Sequence, residues 1–101
     1  MHSPIEASEL LRRLNEGEKL NLLDVREKIE FHTFNIGGNN IPLSAFAQNI
    51  SKAGDNKTNE IIVICNVGLR SETAARILMT NGFRDVRNLT GGLVAVQKLK
   101  Q

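Results

Sequence analysis

Cys65 is the only cysteine among 101 residues, and it follows directly on Glu60-Ile-Ile-Val-Ile64, a run with four consecutive β-branched side chains. Asn66-Val67-Gly68-Leu69-Arg70-Ser71 comes next, and then a segment with small and apolar residues at Ala74, Ala75, Ile77 and Leu78. β-branched residues favour strand, and the spacing of the second segment is helical. A thiol between a strand and a helix has a particular chemistry. A tight loop there turns backbone N–H groups inward as an anion-binding nest, and the positive end of the helix dipole points the same way. Gly68 allows the positive φ such a loop needs, and Arg70 adds a permanent positive charge. Each feature favours thiolate over thiol, and a cysteine at a helix N-terminus can lie well below its free value of about 8.5. The expected chemistry is nucleophilic attack by Cys65. The same cradle would hold the negative outer sulfur of a persulfide. A lone cysteine can also be a small buried hydrophobe, but its position, Gly68 and Arg70 weigh against that here.

The elements that must place this loop read as short strands alternating with helices. Ile5 to Asn15 has apolar residues at helical spacing (Leu10, Leu11, Leu14), with Gly17 as a stop. Leu20 to Val25 is expected to be a strand ending near Asp24, and Glu27 to Phe31 one or two helical turns. Asn35 to Asn40 is dense in turn residues, with a short strand expected at Ile41 before Pro42. Leu43 to Ile50 reads as a helix capped by Ser44, and Ser51 to Asn59 as a polar loop. The Glu60–Ile64 run does not alternate, so both its faces should be covered, as in a central parallel strand. Ser71 to Asn81 is a helix with Gly82 after its end, Asp85 to Leu89 a strand, Gly91-Gly92 a turn, and Leu93 to Leu99 a last helix. The fold class this implies is α/β: a small, doubly wound, mainly parallel sheet of about four to five strands with helices on both faces. In such sheets ligands sit beyond the carboxyl ends of the strands, where Cys65 falls.

Length and composition exclude several classes. The chain suits one compact domain spanning residues 1–101. Hydrophobic residues make up 41 % and charged residues 24 %, ordinary for a globular protein. Net charge is +2 and Phe is the only aromatic type, so neither a basic stripe nor stacking aromatics point to nucleic acid. Lys98 and Lys100 are expected at a frayed, solvated terminus. No run is long and apolar enough for a membrane span, and Met1-His2-Ser3-Pro4 has no signal-peptide pattern. One cysteine fits a reducing compartment such as the cytoplasm. One Cys and two His do not make a metal ligand set, and His32 is expected on the surface.

Several motifs then coincide in order. Val63-Ile-Cys65-Asn-Val-Gly68-Leu-Arg70-Ser71 resembles the Cys-x-x-Gly-x-Arg-Ser active-site loop of rhodanese-like domains. Leu23-Asp24-Val25-Arg26 resembles their Asp-Val-Arg signature. Glu30-Phe31, Ile36-Gly37-Gly38 and Ile41-Pro42-Leu43 are similar to the segment before their middle helix, and Gly82-Phe83, Val86 and Leu89-Thr-Gly91-Gly92 to their closing strand and turn. The resemblance covers roughly residues 5 to 99. The chain departs from the pattern at Phe34-Asn35-Ile36-Gly37-Gly38, where the segment is one residue short, and after Gly92, where the common Trp is missing.

The resemblance implies sulfurtransferase activity. Cys65 would accept sulfane sulfur from a small anionic donor such as thiosulfate and pass it to cyanide, a thiol or a protein acceptor. The N–H groups of Asn66, Val67, Gly68, Leu69, Arg70 and Ser71 would cradle the persulfide, and Arg70 would draw the donor. No cofactor beyond that covalent persulfide is implied. Asp24 and Arg26 are expected to brace the loop or its entrance; a structural ion pair is an equally good reading of them. Two other classes compete. A non-catalytic protein-binding module of this fold would not need Cys65. A cysteine phosphatase of related fold uses a longer Cys…Arg loop, and the spacing from Cys65 to Arg70 should be too short for phosphate.

Overall fold

The computed structural model describes residues 2–100. Its elements are β1 (His2–Ile5), α1 (Ala7–Asn15), β2 (Leu22–Asp24), α2 (Lys28–Thr33), β3 (Asn39–Asn40), β4 (Glu60–Ile64), α3 (Leu69–Thr80), β5 (Asp85–Leu89) and α4 (Gly92–Leu99), with 3-10 segments at Leu43–Ala45 and Ala47–Ala53. The five strands form one sheet in the order β1-β5-β4-β2-β3, and every described pairing is parallel.

β4 lies at the centre with both faces covered. Ile61 and Val63 face α3 and the 3-10 segments, packing with Phe46, Ala74, Ala75, Leu78 and Phe83. Ile62 and Ile64 face α1 and α4, packing with Ile5, Leu10, Leu93 and Val96. Side chains alternate across a strand, so one continuous apolar run serves two separate cores. The register also sets the site. Asp24 pairs with Ile64, one residue before Cys65, and Asn88 pairs with Val63. A carboxylate, a thiol and an amide thereby come together near the carboxyl end of the sheet.

Five expectations need correction. Ile5 does not begin the first helix: it ends β1, paired with Leu89, and its carbonyl accepts the Thr90 N–H at 2.9 Å. Pro4 is tolerated there because β1 is an edge strand. The strand near Ile41 is Asn39–Asn40 instead, because the Asn40 side-chain amide donates to the carbonyls of Asp24 (3.0 Å) and Arg26 (2.9 Å) and extends the ladder. Leu43 to Ile50 is not an α-helix capped by Ser44. Asn49 breaks it at φ −122°, its amide bonding back to the Ala45 carbonyl at 2.8 Å, and Ser44 Oγ donates to Glu27 instead. The helix after the cysteine starts at Leu69, so Arg70 and Ser71 belong to its first turn rather than to the loop. Lys98 lies in the last turn of α4 rather than in a frayed end.

Candidate active site

The chain leaves β4 at Cys65 and turns sharply. Gly68 has φ +100°, a conformation L side chains rarely adopt, and this turns its N–H back onto Cys65 Sγ at 3.0 Å. The N–H groups of Val67 and Ser71 also donate to the sulfur, and Ser71 Oγ lies 3.3 Å from it. Cys65 is only 1 % exposed. Burial pushes its thiol up, while hydrogen bonding around the sulfur, from the Ser71 side chain and from the N–H groups of Ser71, Gly68 and Val67, outweighs it; the balance lies below the ordinary thiol value. Arg70, one turn away, interacts with the sulfur's charge.

The loop is held in this shape from behind. The N–H groups of Leu93 and Val94, in the first turn of α4, donate to the carbonyls of Cys65 (2.9 Å) and Asn66 (3.0 Å). With those carbonyls engaged outward, the loop's N–H groups are left facing the sulfur. Close approach requires Gly92: a Cβ there would collide with the backbone of Asn66 and Cys65. From β5, the Asn88 side chain donates to the Gly68 carbonyl (3.1 Å) and to Glu72 (3.0 Å) and accepts from Ser71 Oγ.

Asp24 and Arg26 form a pair with side chains 1 % and 5 % exposed. Arg26 reaches Asp24 through Nε and Nη2, and extends Nη2 to the Phe34 carbonyl (2.6 Å) and Nη1 to Asn66 Oδ1 (3.4 Å). The pair therefore touches the loop through Asn66 and not through the sulfur. Arg70 is engaged as well, with a two-pronged pair to Glu30 at 2.7 and 2.9 Å. Glu30 also accepts from Asn66 Nδ2 (3.2 Å) and closes a capping box with Glu27 at the start of α2. The Arg70 guanidinium holds the Glu30 carboxyl down to about 2. Val67 and Leu69 are exposed to solvent, and a cleft of about 320 Å³ is lined by residues that include Arg26, Glu30, Phe34, Asn66 and Leu93.

The structure thus gathers Cys65, Val67, Gly68 and Ser71 around one sulfur, with Asn66, Arg26 and Arg70 around its rim. Glu30, Asn88 and Gly92 were not singled out by residue chemistry. Glu30 carries two signals, its place three residues after Glu27 and the Glu30-Phe31 pair of the family-like segment. Gly92 carried another, its pairing with Gly91. Asn88 carried none, since only strand register brings it to the loop.

The match of a rhodanese-like domain family model over residues 6–99 completes the picture, and the chain belongs to that family. A putative sulfur carrier protein of Bacillus subtilis is 37 % identical over 83 residues, covering 81 % of this chain and 44 % of that protein. A probable adenylyltransferase/sulfurtransferase of Mycobacterium tuberculosis is 34 % identical over 102 residues, covering 98 % of this chain and 26 % of its own length. The chain therefore spans less than half of either relative. The crystal structure of a rhodanese-like domain protein from Staphylococcus aureus superposes with a TM-score of 0.82 at 27 % identity, covering 93 % of this chain and 90 % of that one. No helix among the described residues is long and apolar enough to cross a membrane.

Proposed function

We propose that the protein is a sulfurtransferase that carries sulfane sulfur on Cys65 in a reducing compartment, the cytoplasm. The observation that carries this reading is the convergence of backbone N–H groups on Cys65 Sγ. Neutral dipoles of this kind stabilise an anion without forming a bond that must later be broken. They serve the thiolate first and the persulfide after it. The relatives named for sulfur carriage and sulfur transfer support the same chemistry.

With thiosulfate as donor, thiolate Cys65 attacks the outer sulfur. A new S–S bond forms, the bond to the sulfonate sulfur breaks, and sulfite leaves with that electron pair. An acceptor nucleophile (cyanide, a small thiol or a protein thiol) then takes the outer sulfur and restores the thiolate. This is a two-step exchange through a covalent intermediate. These 101 residues hold no second cysteine, so the acceptor is not a thiol among them. Arg70 draws the anionic donor once its pair with Glu30 opens. Asp24 and Arg26 brace the rim through Asn66. Since Cys65 is 1 % exposed, the rim must part for a donor to reach the sulfur.

The test is an intact-mass spectrum after incubation with thiosulfate and, separately, with a persulfide donor. A gain of one sulfur atom that cyanide removes as thiocyanate is expected, and Cys65→Ser should abolish both. No gain from any donor would favour a non-catalytic binding module.

A further inference from the structure

Which way the proton points between Ser71 and Cys65 is settled by Asn88, a neighbour of Ser71 on β5. The Asn88 amide nitrogen faces two acceptors, the Gly68 carbonyl at 3.1 Å and Glu72 Oε2 at 3.0 Å. Turning the amide over would set its oxygen against a carbonyl and a carboxylate, so its orientation is fixed. Asn88 Oδ1 is then an acceptor only, and the group it meets is Ser71 Oγ. A serine hydroxyl has one proton. With that proton on Asn88, Ser71 can offer only a lone pair to Cys65 Sγ, 3.3 Å away.

We infer that Asn88 is a positioning residue that makes Ser71 an acceptor for the Cys65 S–H, so that the Asn88–Ser71 relay holds the thiol form while the backbone N–H groups hold the thiolate. Two sets of groups therefore pull the same sulfur in opposite directions. The N–H groups of Val67, Gly68 and Ser71 favour charge. The hydroxyl favours the proton, against the sign that its closeness alone would give. A sulfur balanced in this way keeps part of its resting population as thiol, the form that resists oxidation. Ionisation releases the proton to solvent and leaves Sγ to the N–H groups, which are also the groups a persulfide needs. The charged groups around the loop are Arg70 and Glu72 on α3, Glu30 on α2, and the Asp24–Arg26 pair at the end of β2. None of them is altered by a change at Ser71.

The inference rests on Cys65 as the reacting thiol. Its test uses no sulfur donor, so it stands or falls separately from the transfer chemistry. Thiolate absorbance is titrated against pH in wild type, Ser71→Ala, Asn88→Ala and the double variant. The signal is clean, because the chain has one cysteine and no Tyr or Trp. Loss of one ordinary hydrogen bond to the thiol should lower the Ser71→Ala midpoint by about 0.5–1 pH unit. An equal or higher midpoint would overturn the inference, because a donating hydroxyl would have helped the thiolate. Asn88→Ala should lower the midpoint as well, by freeing the Ser71 proton to turn toward the sulfur. In the Ser71→Ala background that shift should vanish, since no hydroxyl remains to be freed. A full Asn88→Ala shift in that background would refute the relay. If Asn88→Ala does not fold, the sign of the Ser71→Ala shift decides alone.

Discussion

The two ends of β4 each carry a side chain that can become an anion, and they treat it in different ways. Glu60, at the start of the strand, meets two guanidiniums: Arg13 on α1 at 2.8 and 3.0 Å, and Arg87 on β5 at 3.5 Å. The Arg13 hydrogen bond above all holds the Glu60 carboxyl below the usual carboxylate range. Cys65, just past the other end, is also held low, but by hydrogen bonds from neutral groups, the backbone N–H groups among them. The guanidiniums nearest it are already matched, Arg26 by Asp24 and Arg70 by Glu30. A full cation beside an anion makes a fixed pair. Neutral dipoles make an anion comfortable while leaving it free to bond. The first arrangement suits a support, and the second suits a nucleophile.

The comparison breaks most severely at the Asp24–Arg26 pair. Asp24→Ala would leave the Arg26 guanidinium buried without its partner, which costs about 3–5 kcal/mol in such settings. Small domains have a total stability of about 5–15 kcal/mol, so a large share would be lost. Urea denaturation should register this as a strongly lowered midpoint. A loss under about 1 kcal/mol would mean that the pair is far better solvated than its burial implies.

Gly92→Ala tests the dipole side more directly. The new Cβ must push the backbone of Cys65 and Asn66 away from α4, at φ +60°. A destabilisation of about 1–3 kcal/mol is expected, together with loss of persulfide formation in the folded fraction. Salt should not change the deficit, because no formal charge is involved. Normal persulfide yield in this variant would show that α4 does not shape the loop.

How much of this is legible in the sequence follows the range of the interactions. β4 was plain because burial on both faces leaves its mark within five residues, Glu60 to Ile64. Gly68 is plain because a tight loop asks for that residue three positions after a thiol that ends a strand. β1 was missed because nothing within His2–Ile5 announces a strand; its reason lies at Val86–Leu89, more than eighty residues away. Asn39–Asn40 was read as turn because asparagines favour turns, and the partners that override this are the backbone carbonyls of Asp24 and Arg26. Arg70 looked like a free cation because Glu30, forty residues earlier, gave no sign of where α2 would place it. Polar residues whose roles come from register or from helix docking leave no local pattern to read.

The smallest effect is expected at the other end of β4, and it sharpens the contrast. Glu60→Gln removes an anion from between Arg13 and Arg87, but Arg13 keeps Glu18 at 3.0 Å and Arg87 keeps Glu9 at 3.0 Å. The loss should be about 1 kcal/mol or less and should shrink further in high salt, unlike the loss in Gly92→Ala. It should also depend on pH. The folded-state carboxyl is lowered, so its contribution is fully present above its unfolded value of about 4.3 and fades as pH falls through the lower folded value. Wild type and Glu60→Gln should therefore converge in strong acid, with the Cys65 titration unchanged between them near neutrality. If Glu60→Gln moved the Cys65 midpoint, charge would be passing along β4 from one end to the other, and the two ends could not be treated as separate solutions to holding an anion.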